Sequence, residues 1–261
     1  MAEEKIEKHE HETKTVTLKK STLWGIGVFV LLALLVASVF TGGFGIMKPT
    51  GNAANTGNTA NTGASATVDT SVFSDATLFP TLGPSNAQYK VIELADFQCP
   101  YCALASGLPS WSKTYASQYG DLIGSAGNVE QLAQQGKVQF IFVPLSFLGQ
   151  ESTYASEAAF CALDQGKFWQ MHDAIYTKSD GPSEDTGKYS KANLTIIAQG
   201  ISGLDMTKFN TCLNTDADLA KVQQVMTQAQ KSGIQIATPQ FFVNGQSVQA
   251  SWTAIKAAIG Q

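Results

Sequence analysis

A short run of residues around two closely spaced cysteines constrains the fold more than any other part of the sequence. The apolar, β-rich run Tyr89 to Phe97 ends at Gln98, and the stretch Cys99-Pro100-Tyr101-Cys102 follows directly. This order predicts a strand, a sharp turn and a helix. Pro100 suits the first helical position, because the N–H that proline lacks would have no partner there.

The predicted helix start bears on the chemistry of Cys99. With Pro100 as the first helical residue, Cys99 is the N-cap and its sulfur faces unpaired backbone N–H groups. These dipoles favour the thiolate, which is the attacking and the leaving form in disulfide exchange. A disulfide between Cys99 and Cys102 is therefore expected to be labile and oxidising, and Cys102, one turn on, is expected to be more buried.

An acidic residue inside the predicted strand needs an explanation. Glu93 lies six residues before Cys99, and a carboxylate in a strand covered on both faces is costly unless it is paired. Two interpretations are open: proton exchange with the Cys102 thiol during turnover, or an edge strand with a solvated outer face. Asp96, at the end of the strand, is expected to be a solvated or turn residue.

A second motif lies near the C-terminus, in the stretch Thr238-Pro239-Gln240-Phe241-Phe242-Val243-Asn244-Gly245. Asn244 and Gly245 predict a two-residue hairpin turn between antiparallel strands. Pro239 would open the first of these strands, which is acceptable for proline at the first residue of a strand or on an edge.

Taken together, CPYC after a strand and TPQFFVNG before a closing helix resemble the DsbA-type branch of the thioredoxin superfamily. The resemblance covers the chain from about Ala87 to its C-terminus. It implies an α/β thioredoxin fold in which a helical insertion separates a βαβ half from a ββα half that begins at a cis-proline.

The resemblance also implies a set of site residues, with a redox-active disulfide and no bound cofactor or metal. The family's strand acid, nucleophile, second cysteine, cis-proline and substrate-pairing backbone correspond to Glu93, Cys99, Cys102, Pro239 and Thr238. The dipeptide Pro100 and Tyr101 would tune the redox potential. It lacks the His of the most oxidising family members, so the resemblance does not imply a strongly oxidising potential.

The long stretch between the two motifs predicts the helical insertion, at about residues 150–231. Apolar residues recur at helical spacing from Tyr154 to Tyr176, where His172 is expected to be a packed or surface residue. The segment Ser112 to Gly136 departs from the family by being longer and richer in Gly, Ser and Gln, and no role follows for it.

Two further cysteines, Cys161 and Cys212, lie in the predicted insertion. We interpret them as a structural disulfide, which an oxidising compartment would favour. The alternative is a pair of buried free thiols. A four-cysteine zinc site is disfavoured, because structural zinc usually takes two closely spaced pairs.

The N-terminal part of the chain predicts a membrane anchor. Residues 23–47 carry no charge and exceed the roughly 20 residues that span a bilayer. A cleaved signal peptide is the alternative, but its apolar core is normally about 7 to 15 residues and its leader short and basic. The residues before this segment, 1–22, are predicted to be a cytoplasmic tail, because lysines are more frequent before the helix than after it.

The composition of the next segment predicts a flexible linker over residues 48–75, since Gly, Asn, Thr, Ala and Ser dominate it. The thioredoxin-like domain is predicted over residues 76–261. Membrane anchoring, with this domain outside the cytoplasm, follows from the predicted orientation.

Charge argues against nucleic acid as a partner. The net charge is -4 and all 17 basic residues are lysines, so no arginine is present to grip phosphates in a bidentate manner.

The predicted function is that of a dithiol oxidase that introduces disulfides into exported proteins. The resemblance implies reduced exported proteins or peptides as substrates and a membrane-embedded, quinone-linked partner that reoxidises the pair. A monomer is expected, since the linker leaves no room for a dimerisation module. The alternatives are a disulfide reductase or isomerase on the same fold, and a non-enzymatic soft-metal carrier or chaperone.

Overall fold

The computed structural model describes residues 69–261. The predicted tail 1–22, the predicted transmembrane helix 23–47 and the predicted linker as far as residue 68 lie outside the described residues. Among residues 69–261, no helix has both the length and the hydrophobicity that a membrane crossing requires.

The folded domain begins earlier than the predicted residue 76. A 3₁₀ turn covers Thr70–Phe73, and the side chain of Phe73 is fully buried. Its ring packs edge-on against Phe79 with 5.1 Å between centroids. The predicted linker boundary at residue 75 was therefore wrong, because one aromatic residue near the end of the polar stretch belongs to the core.

A five-stranded sheet forms the centre of the domain, with the strand order β1-β3-β2-β4-β5. The central strand β2 runs parallel to β3, whereas the other neighbours are antiparallel. The strands are β1 (Thr81–Leu82), β2 (Lys90–Asp96), β3 (Gln139–Leu145), β4 (Gln240–Val243) and β5 (Gln246–Val248).

Helices cover both faces of this sheet. In chain order they are α1 (Pro100–Ser106), α2 (Ala116–Tyr119), α3 (Ser125–Gln134), α4 (Gln150–Leu163), α5 (Phe168–Thr177), α6 (Lys191–Ala198), α7 (Met206–Asn214), α8 (Leu219–Lys231) and α9 (Trp252–Ala258), and a 3₁₀ segment, Ser110–Tyr115, precedes α2.

The predicted α/β fold with added helices is confirmed. Strand β2, helix α1 and strand β3 belong to the first half, and β4, β5 and α9 form the second half. Helices α4 to α8 lie between the halves, over the stretch predicted as the insertion. The helical pattern predicted from Tyr154 to Tyr176 is split into α4 and α5 by a turn at Gly166, whose φ is +69°.

The turn between β4 and β5 is the predicted two-residue hairpin. Asn244 and Gly245 have φ values of 48° and 82°, the left-handed region that a turn of this kind requires. The Asn244 side chain also accepts a hydrogen bond of 2.8 Å from the Lys90 backbone N–H. The hairpin is thereby tied to the start of the central strand.

A disulfide joins Cys161 in α4 to Cys212 in α7. The two residues are 51 positions apart in the chain, and the bond links helices of the insertion. Asp218 lies close to both sulfurs, but sulfurs held in a disulfide are not thiolates and cannot serve as zinc ligands. The structure thus favours the disulfide over the free-thiol and zinc alternatives.

Removing this bond is expected to destabilise the domain. In the chain-entropy model, opening a loop closed over 51 residues should lower the free energy of unfolding by about 4 kcal/mol. The variant is Cys161→Ala/Cys212→Ala, measured by denaturant unfolding of the oxidised chain.

The matched control is Cys99→Ala/Cys102→Ala, which makes the same exchange at two buried cysteines that are free thiols in the structure. Equal losses in the two double variants, each compared with the parent chain that keeps the Cys161–Cys212 bond and has Cys99 and Cys102 as free thiols, would attribute the effect to lost side-chain packing instead of loop closure.

Candidate active site

The turn after β2 places Cys99 at the start of α1. The Cys99 backbone N–H donates to the Asp96 carbonyl at 3.0 Å, and Pro100 is the first residue of the helix. Cys99 is the N-cap, with extended backbone angles. The two cysteines are unequally buried, as predicted, with Cys99 4% and Cys102 0% exposed.

The pKa of the Cys99 thiol is lowered from 9.0 to about 7. The largest cause is the hydrogen bond with the Cys102 thiol, which outweighs the raising effect of burial, and the Thr238 side chain contributes less. The backbone N–H groups of Tyr101 and Cys102 also lower the pKa, although neither forms a capping hydrogen bond to the sulfur. The helix N–H groups, the predicted cause, are therefore a minor contribution.

The pKa of the Cys102 thiol is raised well above its ordinary value. Burial is the main cause, and the neighbouring Cys99 and Glu93 add to it. Close to neutral pH, one sulfur of the pair is therefore partly ionised while the other keeps its proton. The thiolate is the attacking and leaving form in disulfide exchange, so this asymmetry favours Cys99 for that chemistry.

The loop before β4 lies against the Cys99 sulfur. The Thr238–Pro239 peptide bond is cis, and the Cys99 thiol donates to the Thr238 carbonyl oxygen over 3.6 Å. The two motifs, far apart in the chain, thus meet at Cys99.

Glu93 lies in the central strand and its carboxyl group is buried. Its register partners are Phe142 on β3 and Phe241 on β4, so the edge-strand interpretation was wrong. The residue is 2% exposed, and its Oε2 atom has no hydrogen-bond partner within residues 69–261. Burial above all, then the charges of Glu130 and Cys99, raise the pKa of Glu93 to about 8.

The prediction that Asp96 is a solvated or turn residue was wrong, since it is fully buried. Its Oδ1 accepts from the Gln98 N–H at 2.9 Å and from the Ser152 hydroxyl at 2.7 Å. Its Oδ2 accepts from the N–H groups of Phe147 and Leu148 at 3.0 and 3.2 Å. Asp96 therefore binds the loop after β3 to the turn that carries Cys99. Burial raises its pKa despite these bonds.

Gln98 extends this network beyond what the sequence indicated. Its side-chain amide donates to the Ser152 hydroxyl at 3.1 Å and to the Asp185 carboxylate at 3.0 Å. In return its Oε1 accepts from the Asp185 backbone N–H at 2.7 Å. The sequence does show that Gln98 is a polar residue next to CPYC. Its partners could not be predicted, because they are 54 and 87 positions away in the chain.

Tyr101, between the two cysteines, is the most exposed residue of the site at 45%. Its ring packs edge-on against Tyr119 with 5.5 Å between centroids. Tyr119 belongs to the segment Ser112 to Gly136, for which the sequence indicated no role. Part of that segment therefore flanks the redox pair. Tuning of the redox potential by Pro100 and Tyr101 stays a prediction.

Comparison with known proteins agrees with this geometry. A family model described as Thioredoxin matches residues 125–261, more than half of the 261-residue chain. The match contains Thr238 and Pro239 and begins after the Cys99–Cys102 pair.

One curated relative, "Probable disulfide bond formation protein D" of Bacillus anthracis, is 28% identical over 183 residues, covering 69% of this chain and 76% of the relative. The solved structure of oxidised BdbD from Bacillus subtilis superposes with a TM-score of 0.54 at 23% identity, covering 70% of this chain and 92% of that one. A thioredoxin-like oxidoreductase from Silicibacter pomeroyi DSS-3 gives a TM-score of 0.53 at 26% identity, covering 73% and 95%.

The dominant cause of the low Cys99 pKa can be tested by removing its partner. In Cys102→Ala, we expect the pKa of Cys99 to rise from about 7 toward 9.0, because the strongest stabilisation of its thiolate is lost. The measurement is the ultraviolet absorbance of the thiolate during a pH titration of the reduced chain.

Cys99→Ala serves as the control, since the remaining buried thiol should not ionise near neutral pH. An unchanged midpoint in Cys102→Ala would contradict this and assign the low pKa to Thr238 and the helix N–H groups.

Proposed function

This chain belongs to the thioredoxin family as a DsbA-like protein disulfide oxidoreductase, and from that premise we propose that it is a dithiol oxidase acting on reduced exported proteins. The observation that carries the proposal is the unequal ionisation of the pair, with the pKa of Cys99 lowered and that of Cys102 raised. Similarity to a protein named for disulfide bond formation supports the same direction of reaction.

In the first proposed step, a substrate thiolate attacks the Cys99 sulfur of the oxidised pair. A substrate–Cys99 disulfide forms, the Cys99–Cys102 bond breaks, and Cys102 leaves as a thiolate. In this proposal Glu93 gives that thiolate a proton. The Glu93 carboxyl group is buried, its charge acts on Cys102, and its pKa of about 8 supports the role.

In the second step, another thiolate of the substrate attacks the substrate sulfur of the mixed disulfide. A substrate disulfide forms and Cys99 leaves as a thiolate, which its low pKa favours. Two electrons now reside on the reduced pair. We propose that a membrane-embedded, quinone-linked partner accepts them, and that the sulfurs serve without a bound cofactor or metal.

We also propose that Thr238 offers its backbone to the substrate beside Cys99, and that Pro239 keeps this edge next to the sulfur. The contact between the Thr238 carbonyl and the Cys99 thiol supports this placement.

The proposed location is outside the cytoplasm, with residues 23–47 as a membrane anchor and the N-terminus in the cytoplasm. The Cys161–Cys212 disulfide supports an oxidising compartment, since such bonds rarely persist in the cytosol. The anchor would hold the domain near the reoxidising partner.

A reductase or isomerase is the second candidate, and one observation favours it. The pKa of Cys99, about 7, is close to that of the thioredoxin nucleophile and far above the most acidic thiols of the superfamily. A less stabilised thiolate makes a less oxidising disulfide.

Equilibration of the full chain with glutathione distinguishes the two candidates. For an oxidase we expect a reduction potential above about -180 mV, whereas a value near about -270 mV would indicate a reductase. The fraction of oxidised pair is read by thiol labelling, and Cys161→Ala/Cys212→Ala serves as a control that the signal comes from the active pair.

Client proteins can be trapped in cells with Cys102→Ala. Mixed disulfides on Cys99 are expected to accumulate, because Cys102 can no longer release them. They should be absent from Cys99→Ala/Cys102→Ala. A well-expressed Cys102→Ala chain that carries no client would argue against action on proteins.

A further inference from the structure

A second carboxyl group, that of Glu130, acts on the buried Glu93. Glu130 is on α3. One of its carboxylate oxygens lies within 4.8 Å of a ring nitrogen of His172 and of a carboxylate oxygen of Asp173, both on α5. The Gln134 side-chain amide donates to Glu130 Oε1 at 3.0 Å, and His172 Nδ1 is 2.8 Å from Asp173 Oδ1. The sequence had assigned no role to Glu130.

Glu130 and Glu93 border the same buried layer. On β2, Val91 and Ala95 share the face of Glu93, and they pack in the same hydrophobic cluster as Ala126 and Ala133, which lie one turn before and one turn after Glu130 on α3. The charge of Glu130 acts on Glu93 and is the largest cause after burial for the raised pKa of Glu93.

Glu130 also lines a solvent cleft that Glu93 does not line. The cleft has a volume of about 380 Å³ and is formed by the end of α1, by α3 and by Asp173. Ser106 and Gly107, at the C-terminal end of α1, belong to its wall. The cleft is thus at the far end of the helix that begins with the redox pair.

We propose that Glu130 is a positioning residue for the Cys102 half of the site: its carboxylate, held at the cleft wall, keeps the proton on the buried Glu93 and so sets the pH range in which Cys102 attacks. The proposal rests on the proposed disulfide exchange at Cys99 and Cys102. It deepens that function by adding a residue that touches neither sulfur.

The charged and titratable groups around the two carboxyls are few. On Glu130, burial raises the pKa most, Asp173 raises it and His172 lowers it. Lys256, the charged residue of α9, is exposed. Around Glu93 the other titratable groups are Cys99, Cys102 and the phenol of Tyr176. Burial raises the pKa of Tyr176 most, and the charges of Cys102 and Glu93 add to it.

The protonation state of Glu93 can be followed through one step, in which Cys102 attacks the mixed disulfide on Cys99 and displaces the bound thiol. The Cys102 thiol gives its proton to the Glu93 carboxylate, and the resulting thiolate attacks the Cys99 sulfur. The Cys99–Cys102 bond forms, the bond from Cys99 to glutathione breaks, and glutathione leaves as a thiolate. Because only the ionised form of Glu93 accepts the proton, the rate rises with pH through the Glu93 pKa.

The experiment uses the reduced full chain mixed with excess oxidised glutathione, with acid-quenched samples analysed by mass spectrometry. The rate at which Cys102 releases glutathione from Cys99 is followed from about pH 5 to about pH 9. For the parent chain we expect a midpoint near the Glu93 pKa of about 8.

In Glu130→Gln, the midpoint should fall to about 7, because a like charge that disfavours ionised Glu93 is removed. At pH 7 the ionised share of Glu93 would then rise from about a tenth to about a half. Glu130→Asp, which keeps the carboxylate, should restore much of the parent midpoint. A merely structural role would lower the maximum rate and leave the midpoint in place.

Two controls separate this effect from others. Gln131→Ala alters the same cleft wall without a charge change, and Glu184→Gln removes an exposed carboxylate elsewhere; neither should move the midpoint. If Glu130→Gln does not fold, Gln131→Lys places a cation on the cleft wall and should also lower the midpoint.

A folded Glu130→Gln chain with the parent midpoint would overturn the proposal. A Glu93→Gln chain with the parent profile would overturn it too, while leaving the disulfide oxidoreductase intact. A parent chain that keeps glutathione on Cys99 at every pH would instead contradict the proposed function from which the inference starts.

Discussion

The hydrogen bond between the Cys102 and Cys99 thiols is the interaction on which the site depends. It makes the largest contribution to the low pKa of Cys99. The more deeply buried Cys102 keeps its proton and can donate it in this hydrogen bond. One turn of α1 separates the two cysteines, so that Cys102 is inside the core while Cys99 is at the N-terminal end of the helix. In a disulfide between them, Cys99 would therefore be the better leaving group, whereas Cys102 would leave as a thiolate that takes up a proton.

The rest of the fold maintains that placement from several directions. Asp96 ties the turn before Cys99 to the loop after β3, and the loop before β4 puts the Thr238 carbonyl against the Cys99 sulfur. On the inner side, the proposed role of Glu93 and Glu130 is to determine when a proton is available to Cys102. The buried acid is costly for folding, and that proposed role would give the cost a chemical use.

The parts of the structure that could be predicted are those that depend on residues close together in the sequence. The strand before Cys99, the helix start at Pro100 and the Asn244–Gly245 turn each follow from local geometry, and the meeting of the two motifs followed from the family resemblance. The errors and omissions concern contacts over long sequence distance. Asp96 was taken as solvated because three of its four donors come from other segments, and Glu130 stood out in no local pattern. The predicted end of the linker was too late in the chain, because the buried ring of Phe73 belongs to the folded domain.

The central claim, that one thiol of the pair is ionised near neutral pH and the other is not, can be measured residue by residue. The reduced chain is treated briefly with iodoacetamide near the Cys99 pKa of about 7, and peptide mass spectrometry then quantifies carboxamidomethylation at each cysteine. We expect alkylation at Cys99 with Cys102 almost unmodified, and a rate at Cys99 that rises with pH through that value. Equal alkylation of both cysteines, or a Cys99 rate that rises only near 9.0, would contradict the account.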